Sequence, residues 1–347
     1  MQFLEQLIGT QTGLLLSFVA TAGVVVLAGV RLSIYGDALG ERTGLGRGLV
    51  GLVFLAAVTS LPELVVSLTS VIQCTDPRQG ADLATGNMLG SNIFNLLILA
   101  LAALLFPRKF DPDKLESPHT GSTVYGLVLL AVFAGAFLVD GRGEYLVAGL
   151  HCSWGVLLLP FAYAICLRRE HRQHKDTQTE DHLPSEQMLT RLPAVRFYSV
   201  LGGLCLLIIG GGIVLSVLGA RMALPPEQGG FGLEASLIGT IFLAISTSLP
   251  ELVISISSVR LGFLDMAVGN VLGSNMFNLL IIFAADIAMR GGSLLRRASS
   301  MHWSSVGQIL LLTLLTSLLL RSRSRMVATA TAVAMIAAYI VVLAFSV

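Results

Sequence analysis

The sequence predicts an all-α membrane protein of ten transmembrane helices, arranged as two inverted five-helix repeats. Three observations predict it. The 347-residue chain is 54% hydrophobic and only 12% charged, with a mean hydropathy of +0.80, too little charge to cover a soluble domain. Its apolar residues fall into ten stretches long enough to cross a bilayer. Two blocks of sequence in the first half recur almost unchanged in the second.

A hydrocarbon core roughly 30 Å thick takes about 20 helical residues. Stretches of that kind run over residues 12–35, 46–73, 80–106, 121–140 and 143–167, then over 195–220, 232–259, 262–289, 302–320 and 326–346. The first is expected to be a retained helix, because MQFLEQLIGTQTG has no basic n-region and no convincing cleavage site. The chain thus divides into a first five-helix repeat at 1–167, a charged loop at 168–194 and a second repeat at 195–347. The loop carries His171, His174 and His182, but its composition reads as a solvated linker rather than a metal sensor. Cys74, Cys152, Cys166 and Cys205 are far apart and form no CxxC pair, so they are expected to be small apolar fillers.

Lys and Arg in the connections set the orientation. With the N-terminus outside the cytoplasm, 16 of the 22 basic residues lie on the cytoplasmic side and 6 lie opposite. Both termini are therefore expected to be non-cytoplasmic and the 168–194 loop cytoplasmic. The cluster Arg290, Arg296 and Arg297 runs against the bias.

The repeats are explicit. Residues 59–71 read TSLPELVVSLTSV and 247–259 read TSLPELVISISSV, identical at 10 of 13 positions. Residues 86–99 read GNMLGSNIFNLLIL and 269–282 read GNVLGSNMFNLLII, identical at 11 of 14. The duplicated units cover about 51–100 and 239–283. Five spans separate equivalent helices, so the copies cross the membrane in opposite directions. Secondary transporters commonly use this architecture and place their sites at the midplane between repeats.

The residues inside the repeats carry the chemistry. Pro62 and Pro250 each remove a helical N–H, which is expected to kink or open the helix and expose carbonyl oxygens near mid-membrane. Ser60, Glu63, Ser67 and Ser70 form one polar stripe, repeated by Ser248, Glu251, Ser255 and Ser258. Asn87, Ser91 and Asn95 are spaced by four, as are Asn270, Ser274 and Asn278. Gly86, Gly90, Gly269 and Gly273 allow close helix approach. Taken singly, the Ser and Asn stripes read as interhelical hydrogen-bonding groups. The glutamates do not: an intramembrane carboxylate costs on the order of 3 kcal/mol even on lenient insertion scales. No intramembrane Lys or Arg pairs with Glu63 or Glu251, so a cation or a proton must supply the balancing charge.

Other polar residues are read as structural. Asp286 has no counterpart in the first repeat and is expected to be hydrogen-bonded or at a cavity edge. Asp37, Asp82 and Asp265 lie near helix ends, where capping is the default. His151 and Trp154 are expected to pack or to anchor at the interface.

At TSLPEL…GNMLGSNIFN and TSLPEL…GNVLGSNMFN the chain resembles the cation/calcium exchanger superfamily, in its compact prokaryotic Na⁺/Ca²⁺ exchanger form. The resemblance implies that Glu63 and Glu251 are shared ligands for Ca²⁺ and Na⁺. It implies that Thr59, Thr247, Ala56 and Ala244 contribute largely backbone carbonyls, that Ser60, Ser248, Ser91 and Ser274 help to hold Na⁺, and that Asn95 and Asn278 complete the site. It also implies alternating access by sliding of the first and sixth helices, and residence in the plasma (inner) membrane of a prokaryote. Many relatives carry Asp where this chain has Asn278, which leaves two formal charges in the centre and argues against K⁺ cotransport. The H⁺-coupled branch usually has a further acidic motif near GSNxFN, absent here, so Na⁺ coupling is preferred.

The expected function is therefore secondary antiport of Ca²⁺ against Na⁺, without an enzymatic reaction, with the transported ions as ligands and no cofactor or nucleic-acid partner. H⁺-coupled exchange through the same glutamates is the alternative, and a non-transporting sensor or channel is a remoter one. An intramembrane hydrolase is disfavoured, since the chain has no GxGD, HExxH or GxSxG motif.

Overall fold

The computed structural model describes residues 10–112, 115, 119–140, 153–174, 189–232, 246–289 and 292–346. The described chain is all-helical. Helix α1 is Gln11–Thr43, α2 Arg47–Gln73, α3 Pro77–Leu105, α4 Thr120–Asp140, α5 Trp154–His174 and α6 Ala194–Ala223. Then follow α7 Leu249–Leu261, α8 Leu264–Ala288, the short α9 Leu294–Arg297, α10 His302–Arg321 and α11 Arg325–Ser346. Seven of these, α1, α2, α3, α4, α6, α8 and α10, are long and apolar enough to cross a membrane.

Local chemistry sets the helix ends. Thr10 caps α1 by accepting from the Gly13 amide at 3.1 Å, and Asp76 caps α3 by accepting from the Arg78 amide at 2.9 Å. Gly44 and Gly262 terminate α1 and α7 with φ of 66° and 97°, backbone that L side chains rarely adopt. Helix α5 runs on to His174, seven residues past the expected boundary at 167, and buries Glu170 on the way.

Helix α8 is central, packed against α2, α3, α4, α5 and α7. The closest contact is with α2. A Cβ added to Gly269 would lie 2.3 Å from the Gly48 carbonyl oxygen, one on Gly273 2.1 Å from that of Leu52, and one on Gly51 2.2 Å from that of Met266. Backbones can approach this closely only where side chains are absent. Gly269 and Gly273 thus have the role expected of them. Gly86 and Gly90 show no such backbone approach among the described residues.

Helices α1 and α6 lie against each other on the outside of this core, contacting α7 and α2. Their outer faces expose Leu16, Leu27, Val195 and Leu206, each more than 60% accessible, as lipid-facing helices do. Gly212 of α6 sits over both repeat prolines: a Cβ there would meet Pro62 Cγ at 2.5 Å and Pro250 Cγ at 3.2 Å.

The two prolines act differently. In the second copy the helix breaks at Ser248, which has φ −99° and ψ 20°, and Pro250 sits in the first turn of α7. In the first copy α2 stays helical through Pro62, against the expected opening there. Its irregularity lies upstream, as a π-helical segment over Val50–Leu55 with the Ala56 amide bonded to the Gly51 carbonyl. Widening the turn before the proline accommodates an extra residue without breaking the helix, and such segments recur at functional sites.

Candidate functional site

The repeat motifs meet where α2, α3, α7 and α8 cross. Thr59, Ser60 and Glu63 on α2, Ser91 and Asn95 on α3, Glu251 on α7, Ser274 and Asn278 on α8, and Thr247 and Ser248 just before α7 are all buried. Ala56 is buried with them, one turn before Thr59. Ala244 lies outside the described residues.

Polar contacts join the two copies. Ser60 Oγ donates to Glu251 Oε1 at 3.3 Å, and Thr59 Oγ1 lies 3.3 Å from Ser274 Oγ. Ser248 Oγ donates to Ser91 Oγ at 3.4 Å. Each copy also carries the same internal bond: Asn87 Nδ2 donates to Ser67 Oγ at 3.0 Å, and Asn270 Nδ2 to Ser255 Oγ at 2.9 Å. Asn87 and Asn270 therefore splint one helix of their own copy to the other, as interhelical hydrogen-bonding groups. Ser70 departs from its stripe and bonds back to the Val66 carbonyl.

Electrostatically the centre is incomplete. Glu63 and Glu251 are 1% and 0% exposed, and neither forms an ion pair among the described residues. Both Glu63 carboxylate oxygens, Glu251 Oε2, Asn95 Oδ1 and Asn278 Oδ1 are buried with no hydrogen-bond partner among the described residues. Burying an ionised carboxylate without compensation is strongly unfavourable. Five orphan oxygens from four side chains are a donor set for a hard cation, which takes carboxylate, amide and carbonyl oxygens. The Asn95 amide nitrogen is likewise unpaired, so Asn95 is free to turn its oxygen inward.

Sequence reasoning passed over Asn92 and Asn275. Both are buried, and they bridge α3 to α8. Asn92 Oδ1 also accepts from Asn278 Nδ2 at 3.0 Å, which fixes the Asn278 amide with its oxygen directed elsewhere. The signal was available, since Asn follows Ser91 and Ser274 in both copies of GSNxFN. The four-residue stripe left both out, because adjacent residues lie about 100° apart on a helix.

The acids read as structural prove to be tethers. Asp286 is fully buried and accepts from the Ser153 amide at 2.9 Å and the Leu294 amide at 2.6 Å, joining α8 to the starts of α5 and α9. Asp37 pairs with Arg47, Asp265 with His119 at 3.0 Å, and Asp82 with His302 at 3.2 Å. These contacts link separate elements. Trp154 is 59% exposed, as an interface residue would be, and His151 lies outside the described residues.

The chain is similar to known membrane proteins. The family profile described as sodium/calcium exchanger protein matches residues 12–166 and 198–347. Inner membrane protein YrbG of Escherichia coli K12 is 33% identical over 291 residues, covering 81% of each chain. Sodium/calcium exchanger MaX1 of Methanosarcina acetivorans is 29% identical over 272 residues, covering 70% of this chain and 74% of that one. Among solved structures, the sodium-calcium exchanger NCX_Mj soaked with Na⁺ and Sr²⁺ superposes with a TM-score of 0.66 at 20% identity, covering 95% of this chain and 97% of the other.

Proposed function

The chain belongs to the sodium/calcium exchanger protein family, and from that premise we propose that it is a secondary active antiporter exchanging Ca²⁺ for Na⁺ across a prokaryotic inner membrane. The carrying observation is the pair of buried carboxylates, Glu63 and Glu251, with no protein countercharge among the described residues.

In this reading the ten spans form two inverted repeats, 1–167 and 195–347, and both termini lie outside the cytoplasm. Ca²⁺ and Na⁺ compete for the orphan oxygens of Glu63, Glu251, Asn95 and Asn278. Ser60, Ser91, Ser248 and Ser274 complete the Na⁺ shell with hydroxyl oxygens, and Ala56, Thr59, Ala244 and Thr247 add carbonyls. Two charges on the site match one Ca²⁺, and an empty site leaves both charges buried. Crossing without an ion is therefore penalised, which gives exchange in place of leak. No cofactor is required, and the ions themselves are the ligands.

The test is uptake of radiolabelled Ca²⁺ into proteoliposomes under Na⁺, K⁺ or H⁺ gradients imposed separately. Uptake driven by the Na⁺ gradient alone is expected. Uptake that follows the pH gradient without Na⁺ would replace Na⁺ by H⁺ as the coupling ion.

A further inference from the structure

The asparagines of the two repeats form a symmetric set of hydrogen bonds from which one member is missing. Each copy of GSNxFN carries two of them, Asn92 and Asn95 on α3, and Asn275 and Asn278 on α8. Their i, i+3 spacing puts each pair on one helix face. Asn92 and Asn275 each donate to the other's carbonyl, at 3.3 and 3.1 Å. An exchange that reads the same from either helix implies a local two-fold relation between α3 and α8. That relation carries Asn278 onto Asn95 and Asn92 onto Asn275. Asn278 Nδ2 donates to Asn92 Oδ1 at 3.0 Å. The image of this bond, from Asn95 Nδ2 to Asn275 Oδ1, is not formed. Both of its atoms are buried with no hydrogen-bond partner among the described residues.

A buried donor and a buried acceptor left unpaired are each costly, and one bond between them would relieve both. The cation chemistry points to when it forms. A cation held by Asn95 Oδ1 satisfies only one end of that amide, and its NH₂ group still needs an acceptor. The orphan oxygens of Glu63, Glu251 and Asn278 belong to the cation's own donor set in the reading above. Asn275 Oδ1 is the acceptor left over.

We propose that Asn275 is a positioning residue for the cation site: by accepting from Asn95 Nδ2 it turns Asn95 Oδ1 onto the ion. Asn92 holds Asn278 in the same way. The two amides differ in one respect, since Asn278 is already held, whereas Asn95 is held only as its oxygen engages the ion. The inference rests on the cation-site reading and does not depend on which ion drives exchange.

The experiment measures the Ca²⁺ affinity of the purified full-length protein in detergent and Na⁺-free choline buffer, from the rise in Tm on titration with Ca²⁺. Wild type, Asn275→Ala, Asn95→Ala and the double variant are compared. Asn275→Ala should weaken binding about three- to tenfold, the worth of one hydrogen bond in a binding constant. Asn95→Ala keeps both carboxylates and should bind Ca²⁺ more weakly than wild type. Adding Asn275→Ala to it should then cost no further affinity, because a residue acting through Asn95 has nothing left to hold. An Asn275 that is merely structural, or that bonds a water in the small cavity it borders with Thr123 and Thr313, would weaken binding equally in both backgrounds or in neither. Either result overturns the inference and leaves the cation site standing. A wild type with no saturable response to Ca²⁺ would overturn the cation site itself, and the inference with it. Should Asn275→Ala not fold, Asn275→Ser, polar but one atom shorter, is judged by the same criteria.

Discussion

Asn92 and Asn275, at equivalent positions of the two repeats, exchange hydrogen bonds across the crossing of α3 and α8. Asn92 Nδ2 donates to the Asn275 carbonyl at 3.3 Å, and Asn275 Nδ2 donates to the Asn92 carbonyl at 3.1 Å. The exchange is reciprocal, as a local two-fold relation between the helices requires. Each bond occupies a second lone pair of a buried carbonyl, so the pair acts as a clamp behind the candidate site. Asn92→Ala should cost about 1–3 kcal/mol, the range for leaving a buried polar partner unsatisfied, because Asn278 Nδ2 loses its acceptor; Asn275→Ala, which strands no such partner, should cost less. Thermal unfolding in detergent would measure it. A double variant no less stable than either single one would reveal the coupling.

Glu63→Gln and Glu251→Gln should each abolish Ca²⁺ exchange while preserving the fold, because each amide keeps the carboxylate's shape and removes its charge. Vesicle uptake beside an unfolding curve measures both. Exchange at the wild-type rate in both variants would dismiss the carboxylates as ion ligands.

Asn278→Asp would place a third carboxylate beside the orphan oxygens and set two acceptors, Asp and Asn92 Oδ1, face to face across the present 3.0 Å bond. Without divalent ions the variant should be less stable by about 1–3 kcal/mol. Ca²⁺ should restore more stability than it adds to the wild type, by linkage to the folded state. Melting curves with and without Ca²⁺ check both parts.

Asp286→Asn should lower stability and leave the ion response intact. The carboxylate accepts from two backbone amides, and replacing one oxygen by a donor leaves one of those amides unsatisfied, a loss of about 1–3 kcal/mol. A lower Tm with an unchanged apparent KM for Ca²⁺ is the expected pair of results. A changed KM would move Asp286 into the ion path.

Gly273→Ala should destabilise more than Gly212→Ala. The new methyl at position 273 would meet the backbone oxygen of Leu52 at 2.1 Å, on a helix that cannot yield without displacing the core. At position 212 it meets proline rings on the surface that carries α6, and α6 is exposed on the outside of the bundle along much of its length. Overpacking of the first kind costs typically about 1–3 kcal/mol or more. Comparison of the two Tm values checks the order.

The sequence by itself determined the membrane class, the duplicated motifs and the two glutamates at the centre of the candidate site. Those features are written in composition, in the 3.6-residue period and in repetition, all of which are local. Tertiary structure decided which oxygens belong together. Ser60 reaches the glutamate of the other copy, whereas Ser70, on the same stripe, bonds back to its own helix. Identical LPE motifs give a continuous helix with an upstream π segment at Pro62 and a break at Ser248 before Pro250. The Asn92–Asn275 clamp joins positions far apart in the chain. Helical spacing describes one helix at a time, and only the packing of helices fixes which faces come together.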